Sequence, residues 1–222
     1  MQKKIVKLKF DSSNVFEDYS IDHVLLKVLK NRGVCSKEDY SYKLANLLPP
    51  SGLKNIDSAC DILYQALKED SNILIIGDYD TDGATATAVA IRALKKLGFK
   101  NINYKIPNRF TDGYGLSPEI VKKCLDLDVK PDLIITVDNG ITSVEGVDFA
   151  KKNGVKVVIT DHHLPGSNLP KADAIVNPQL CTDTFLSQSL AGVGVIFYVM
   201  LEFRKFLKGI NYFQECNISY PN

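Results

Sequence analysis

No run of apolar residues in this chain approaches the roughly 20 needed to cross a bilayer, and the opening Met1-Gln2-Lys3-Lys4 leads into alternating residues rather than a secretory apolar core. The chain is therefore expected to be soluble and cytoplasmic, with no membrane partner. No C-x-x-C pair occurs among the 5 cysteines, Cys35, Cys60, Cys124, Cys181 and Cys216. An odd number of widely spaced thiols argues against a disulfide framework and fits a reducing compartment. Charge of one sign is lacking too: 27 basic and 26 acidic residues leave a net charge of +1. With no global field to attract a nucleic acid, any such partner must be held locally. What the chain does have is apolar content. Its 222 residues are 45% hydrophobic, enough for one large or two small domains with a true core.

The first 70 residues read as a separate helical region. Ile21 to Lys30 carries an apolar face and stops near Asn31-Arg32-Gly33, as a helix with a glycine terminus does. Pro49-Pro50-Ser51-Gly52 breaks the chain, and Ser58 to Glu69 predicts another amphipathic helix. From residue 71 to 205 the pattern becomes apolar strand, polar loop, amphipathic helix, repeated. Strands are predicted at Ile73–Gly77, Ile102–Ile106, Leu133–Val137, Val155–Thr160 and Ala174–Val176, with helices at Ala84–Leu97, Pro118–Leu127 and Val144–Asn153. This alternation specifies an α/β fold: a mostly parallel sheet with helices on both faces. Residues 206–222 are aromatic without a clear period and are expected to form a poorly ordered tail.

In such sheets ligands bind beyond the carboxyl ends of the strands, and every strand-end loop here carries polar chemistry. Asp78, Asp80 and Asp82 follow the first strand, Pro107-Asn108-Arg109 the second, Asp138-Asn139-Gly140 the third and Asp161-His162-His163 the fourth. Carboxylates this close raise one another's pKa unless a cation offsets the repulsion, and hard divalent ions suit an oxygen-rich site. Any one loop could be a helix cap or a simple turn; ligand types at all of them point to a shared site. Gly83 lets the chain turn tightly, leaving the N–H groups of the helix after it near that site.

Two other chemistries fit the first loop alone. D-x-D-x-D-G opens a calcium-binding EF-hand loop, but the twelfth position from Asp78 is Val89 rather than Glu, and a strand rather than a helix precedes. An aspartyl-nucleophile phosphatase would use Asp78 to attack phosphorus and Asp80 to protonate the leaving group, which leaves Asp161-His162-His163 without a role.

The ordered segments Gly77–Ala84, Pro107–Leu116, Val137–Ile141, Asp161–His163, Val176-Asn177-Pro178 and Leu190–Val195 resemble the DHH phosphoesterases and, within them, the RecJ-type exonucleases. The resemblance implies a Rossmann-like DHH domain in which a pair of Mn²⁺ or Mg²⁺ ions hydrolyses a phosphodiester. It implies Asp78, Asp80, Asp82, Asp138 and His162 as metal residues, with Asp138 bridging, and Asp161 as the group that fixes an imidazole. His163 would touch the scissile phosphate or move a proton, and Arg109 would offer a planar fork to phosphate oxygens. Asn139, Gly140, Gly192 and Gly194 would meet the substrate, though both later glycines could equally serve helix packing. Single-stranded DNA, 5′-to-3′ polarity, and repair or recombination proteins as partners also follow only from the resemblance.

The resemblance runs out near residue 205. Exonucleases of this type continue with a further ligand Asp, and residues 206–222 contain no aspartate. The sequence is therefore expected to be an N-terminal piece with an incomplete site and weak activity. Alternatives kept open are a small-substrate phosphodiesterase or pyrophosphatase and a catalytically silent binding fragment.

Overall fold

A computed structural model of the chain describes residues 17–18, 20–41, 43–108, 110–182, 184–216 and 218–220. The chain divides into two compact units, Met1–Leu48 and Pro49–Asn222. In the first, α1 (His23–Asn31) starts where the Asp22 carboxylate accepts the Val24 N–H at 2.8 Å, and it ends at Gly33, whose φ of +82° only glycine adopts freely.

The second unit is built on a five-stranded parallel sheet: β1 (Ile73–Ile76), β2 (Ile102–Lys105), β3 (Leu133–Val137), β4 (Lys156–Thr160) and β5 (Ala174–Val176). The strand order is β2-β1-β3-β4-β5, so the chain winds outward in one direction from β1 and then reverses to continue through β3. Near-continuous aliphatic runs such as Ile73-Leu74-Ile75-Ile76 suit strands buried on both faces, and all four residues are buried. The edge strand β2 is half exposed, and polar Asn103 and Lys105 are tolerated there.

α4 (Pro118–Leu125) and α5 (Val144–Lys152) cover one face, where Ile120, Val121, Cys124, Val147 and Ala150 join Leu74, Ile76, Ile134, Val157 and Ile159 in a single apolar cluster. α2 (Ile56–Lys68), α3 (Thr81–Lys96) and α6 (Gly192–Gly209) form the opposite layer, with α3 packed along α6 and α6 along α2. The predicted strands and helices agree with the observed elements apart from their ends. α3 begins at Thr81 rather than Ala84 because the Asp80 carboxylate caps it, accepting the Gly83 N–H at 2.9 Å.

Two features differ from the sequence expectation. α2, read there as part of the N-terminal helical region, packs on α6 and β5, and Asn55 Nδ2 just before it donates to the Ile175 carbonyl at 2.9 Å, so it lies in the sheet's unit. The stretch read as a poorly ordered tail contains two helical pieces among its described residues: 206–209 complete α6, and α7 (Tyr212–Glu215) follows. Its order comes from aromatic packing rather than from any period, with Phe206 stacked on Phe203 at 6.3 Å and buried Phe213 edge-on to Tyr220 at 5.2 Å. Among the described residues no helix is long and apolar enough to cross a membrane.

Phe203 of α6 is wholly buried and meets Phe99 at 6.0 Å between ring centroids. Phe203→Ala is expected to cost about 3–5 kcal/mol through the cavity it leaves, read as a lower urea midpoint at unchanged slope.

Candidate metal centre

The reversal of strand order between β1 and β3 opens a crevice at their carboxyl ends, the place where open α/β sheets hold ligands. Asp78 lies two residues beyond β1, and Asp138 follows β3 directly. Asp138 has a left-handed backbone, φ 63°, and Gly140 follows at φ 110°. Asp tolerates this conformation better than bulkier residues. One strand further out, β4 delivers Asp161, His162 and His163.

Two groups of ligand atoms converge here, each within 4.8 Å of one another: Asp78, Asp80 and Asp138, and Asp138, His162 and His163. Asp138 is common to both. Its side chain is 1% exposed, and Oδ1 lies 3.1 Å from His162 Nε2 yet accepts no hydrogen bond. With His162 in the Nδ1–H tautomer, both atoms turn lone pairs toward the same point. Burial, reinforced by the charges of Asp82 and Asp80, pushes the Asp138 carboxyl up to about 7. Asp78 is also raised, by its own burial and by Asp80, against the opposing effect of the Tyr79 N–H that its Oδ1 accepts at 2.7 Å. Acids held partly protonated by burial and by one another are what a cation would release.

Asp82 has two duties. Its carboxylate accepts the N–H groups of Gly192 and Val193, both at 2.8 Å, and so caps the N-terminus of α6; its Oδ2 also stands 3.6 Å from His162 Nε2. Gly192 is required by this contact, since a Cβ there would sit 2.2 Å from Asp138 Oδ1. Gly83 is required on the other side, where a Cβ would lie 2.4 Å from that of Asp78.

Asp161, 1% exposed, spends both oxygens inside the protein. Oδ2 accepts the Ile141 N–H at 2.9 Å, and Oδ1 accepts the His162 N–H at 2.7 Å and pairs with His163 Nδ1 at 2.7 Å. Partial burial disfavours the His163 imidazolium, but the Asp161 hydrogen bond and charge outweigh it and the pKa is raised. With Nδ1 engaged, Nε2 is the ring atom left to meet a ligand. Tyr114, to which the sequence assigned no role, lies within 3.3 Å of the Asp138 carbonyl and 3.4 Å of His163 Nδ1. The available signal was its glycine flanks, Gly113 and Gly115, at φ 76° and 73°.

Other residues read as substrate-binding are placed elsewhere. Asn139 is fully buried, and its amide is turned into the sheet. A Cβ on Gly140 would strike Thr136 Oγ1 at 2.5 Å, and one on Gly194 would strike the Leu190 side chain at 2.5 Å, so both glycines serve close packing. Arg109 lies outside the described residues.

Residues 72–217 match the model of the DHH family, N-terminal domain. That match extends past residue 205, where the sequence resemblance was expected to end, because α6 and α7 continue the domain. The single-stranded-DNA-specific exonuclease RecJ of Escherichia coli K12 is 47% identical over 90% of this chain, which covers 34% of that protein. RecJ of Thermus thermophilus in complex with Mn²⁺ is 35% identical with a TM-score of 0.65, over 81% of this chain and 24% of that one. The Mg²⁺ complex of the same organism's RecJ gives 30% and 0.50, over 81% and 21%. The chain thus spans about a third or less of the length of these relatives. With the fold, the ordered site residues and the family model in agreement, the chain belongs to the DHH family and carries its N-terminal domain.

Proposed function

We propose that this domain hydrolyses phosphodiesters with divalent cations, Mn²⁺ or Mg²⁺, and that its substrate is single-stranded DNA, degraded 5′ to 3′ in repair and recombination. The observation that carries the reading is the Asp138 carboxylate: buried, without a donor at Oδ1, and shared by two sets of ligand atoms. Asp78, Asp80 and Asp138 would hold one ion; Asp138 and His162, with Asp82 alongside, would hold the other. Bound ions of this kind offset phosphate charge and lower the pKa of a water. Around them, Asp161 holds the His163 ring oriented and favours its imidazolium, so that Nε2 faces a phosphate oxygen or the leaving group. Tyr114 keeps the Asp138 turn and His163 in register, and Arg109 would supply a further phosphate contact. The choice of DNA rests on the similarity to RecJ across 90% of the chain, and an odd number of widely spaced cysteines fits work in the reducing cytosol.

The test is release of mononucleotides from end-labelled single-stranded DNA with Mn²⁺. Asp138→Ala is expected to lower the rate by at least about 100-fold, more than loss of a supporting contact to a metal ligand costs. Phosphate released from pyrophosphate, with no mononucleotides from DNA, would move the assignment to a small-substrate enzyme. No divalent-ion response at all would leave a binding module.

The metal-free protein should also show a particular pH dependence. Folded Asp138 holds its proton up to about pH 7, whereas an ordinary Asp releases it at 3.8. The folded state therefore binds the extra proton, and stability falls as pH rises through that window. Asp78 and His163, both raised, act in the same direction. The apparent Tm is expected to be about 5 °C lower near pH 8 than near pH 5, and Mn²⁺ near pH 8 should restore it. A Tm indifferent to both would contradict the shared-carboxylate site.

A further inference from the structure

Asn139 sits between two residues of unusual backbone, Asp138 at φ 63° and Gly140 at φ 110°. The Asp138 carboxylate joins the ligand cluster, while the neighbouring Asn139 side chain turns into the sheet and is fully buried. Its Nδ2 donates to the Ile76 carbonyl at 3.0 Å and to the Val137 carbonyl at 2.9 Å. Two carbonyl acceptors identify that end of the amide as the nitrogen. Ile76 is the last residue of β1 and Val137 the last of β3, and the β1–β3 ladder has its final pair at Ile76 and Thr136. The amide therefore supplies one more rung just past the end of the ladder, at the strand reversal.

This rung lies directly beneath the site. Ile76 is two residues before Asp78, and Val137 immediately precedes Asp138. The Asn139 turn is itself held, since Thr136 Oγ1 donates to the Asn139 carbonyl at 2.7 Å; in the same layer but between β3 and β4, Thr160 Oγ1 donates to the Thr136 carbonyl at 2.8 Å. Asn139 Oδ1 is buried and accepts nothing. A side chain that leaves a buried acceptor unmet is costly for stability alone, and it is kept here with both of its donors spent on joining two strands.

We propose that Asn139 is a positioning residue that fixes the separation between the Asp78–Asp80 loop and Asp138, and hence the geometry in which a cation is shared between them. This rests on the metal reading above. A purely structural role would cost fold stability and leave the ion affinity of the folded protein unchanged. A positioning role costs affinity beyond what the stability loss explains.

The experiment measures Mn²⁺ affinity from the free-ion electron paramagnetic resonance signal, together with Tm, for the parent chain, Asn139→Ala and Thr160→Val. Thr160→Val removes a buried hydrogen bond from the same layer but leaves the β1–β3 rung in place. Asn139→Ala is expected to weaken Mn²⁺ binding about 10–100-fold, the usual effect of losing a group that orients metal ligands. Thr160→Val should stay within about 3-fold of the parent despite a comparable fall in Tm, since the bond it removes runs from Thr160 Oγ1 to the Thr136 carbonyl, whereas the main-chain bond from the Asp138 N–H to the Thr160 carbonyl at 3.0 Å is retained. If Asn139→Ala does not fold, Asn139→Ser, which keeps one donor, is read in the same way and should bind at an intermediate level. Parent-like affinity in the Asn139 variant, or equal weakening in Thr160→Val, overturns the proposal. A parent chain that takes up no manganese overturns the metal reading itself, and this inference with it.

Discussion

Mutual repulsion among carboxylates buried at the end of a parallel sheet is the constraint on which the rest of this structure depends. Asp78, Asp80 and Asp138 have ligand atoms within 4.8 Å of one another, with Asp78 and Asp138 shielded from water. A low-dielectric setting strengthens repulsion and makes each unmatched charge costly. The chain answers with backbone: helix N-termini aimed at the cluster, glycines that let them approach, and N–H groups that take up the oxygens not shared. α3 begins under Asp80 and α6 under Asp82, so the positive ends of two helix dipoles face the same acids. Such donors lessen the repulsion but leave Asp138 Oδ1 without a partner.

The architecture that brings these groups together was largely legible. Aliphatic runs four or five residues long, separated by helix-length amphipathic segments, admit little besides a parallel sheet with crossover helices. The rule that ligands gather at strand ends then selected the loops after β1, β2, β3 and β4 without knowledge of the strand order, and those after β1, β3 and β4 bring ligand atoms together. Asp78, Asp80, Asp138 and His162 could be named because carboxylates and imidazoles at strand termini have few competing explanations when several occur in order.

What the sequence did not disclose was direction. Asp138 and Asn139 are neighbours of similar size and polarity, and only the left-handed turn at Asp138 sends one toward the ligand cluster and the other into the sheet. Gly140 and Gly194 looked like points of close ligand approach, but the atoms they accommodate belong to Thr136 and Leu190. α2 read as part of the preceding helical region because its partners, α6 and β5, lie more than a hundred residues later in the chain. The aromatic segment after residue 205 has no period because its order comes from ring packing among Phe203, Phe206, Phe213 and Tyr220. The contacts of α2 are long-range, and the other features turn on the direction in which neighbouring side chains point, which a pattern of residue types does not record.

The cap on α6 has a mechanical consequence. The helix is 18 residues long, a rod of about 27 Å at 1.5 Å per residue, and its first two amides are seated on Asp82. Any ion that drew on Asp82 would take electron density from the bonds that seat the first turn of the helix. Reciprocity then requires that a displacement of the rod alter the hold on the ion. A shift at the first turn of α6 is therefore felt directly by a carboxylate at the carboxyl edge of the sheet.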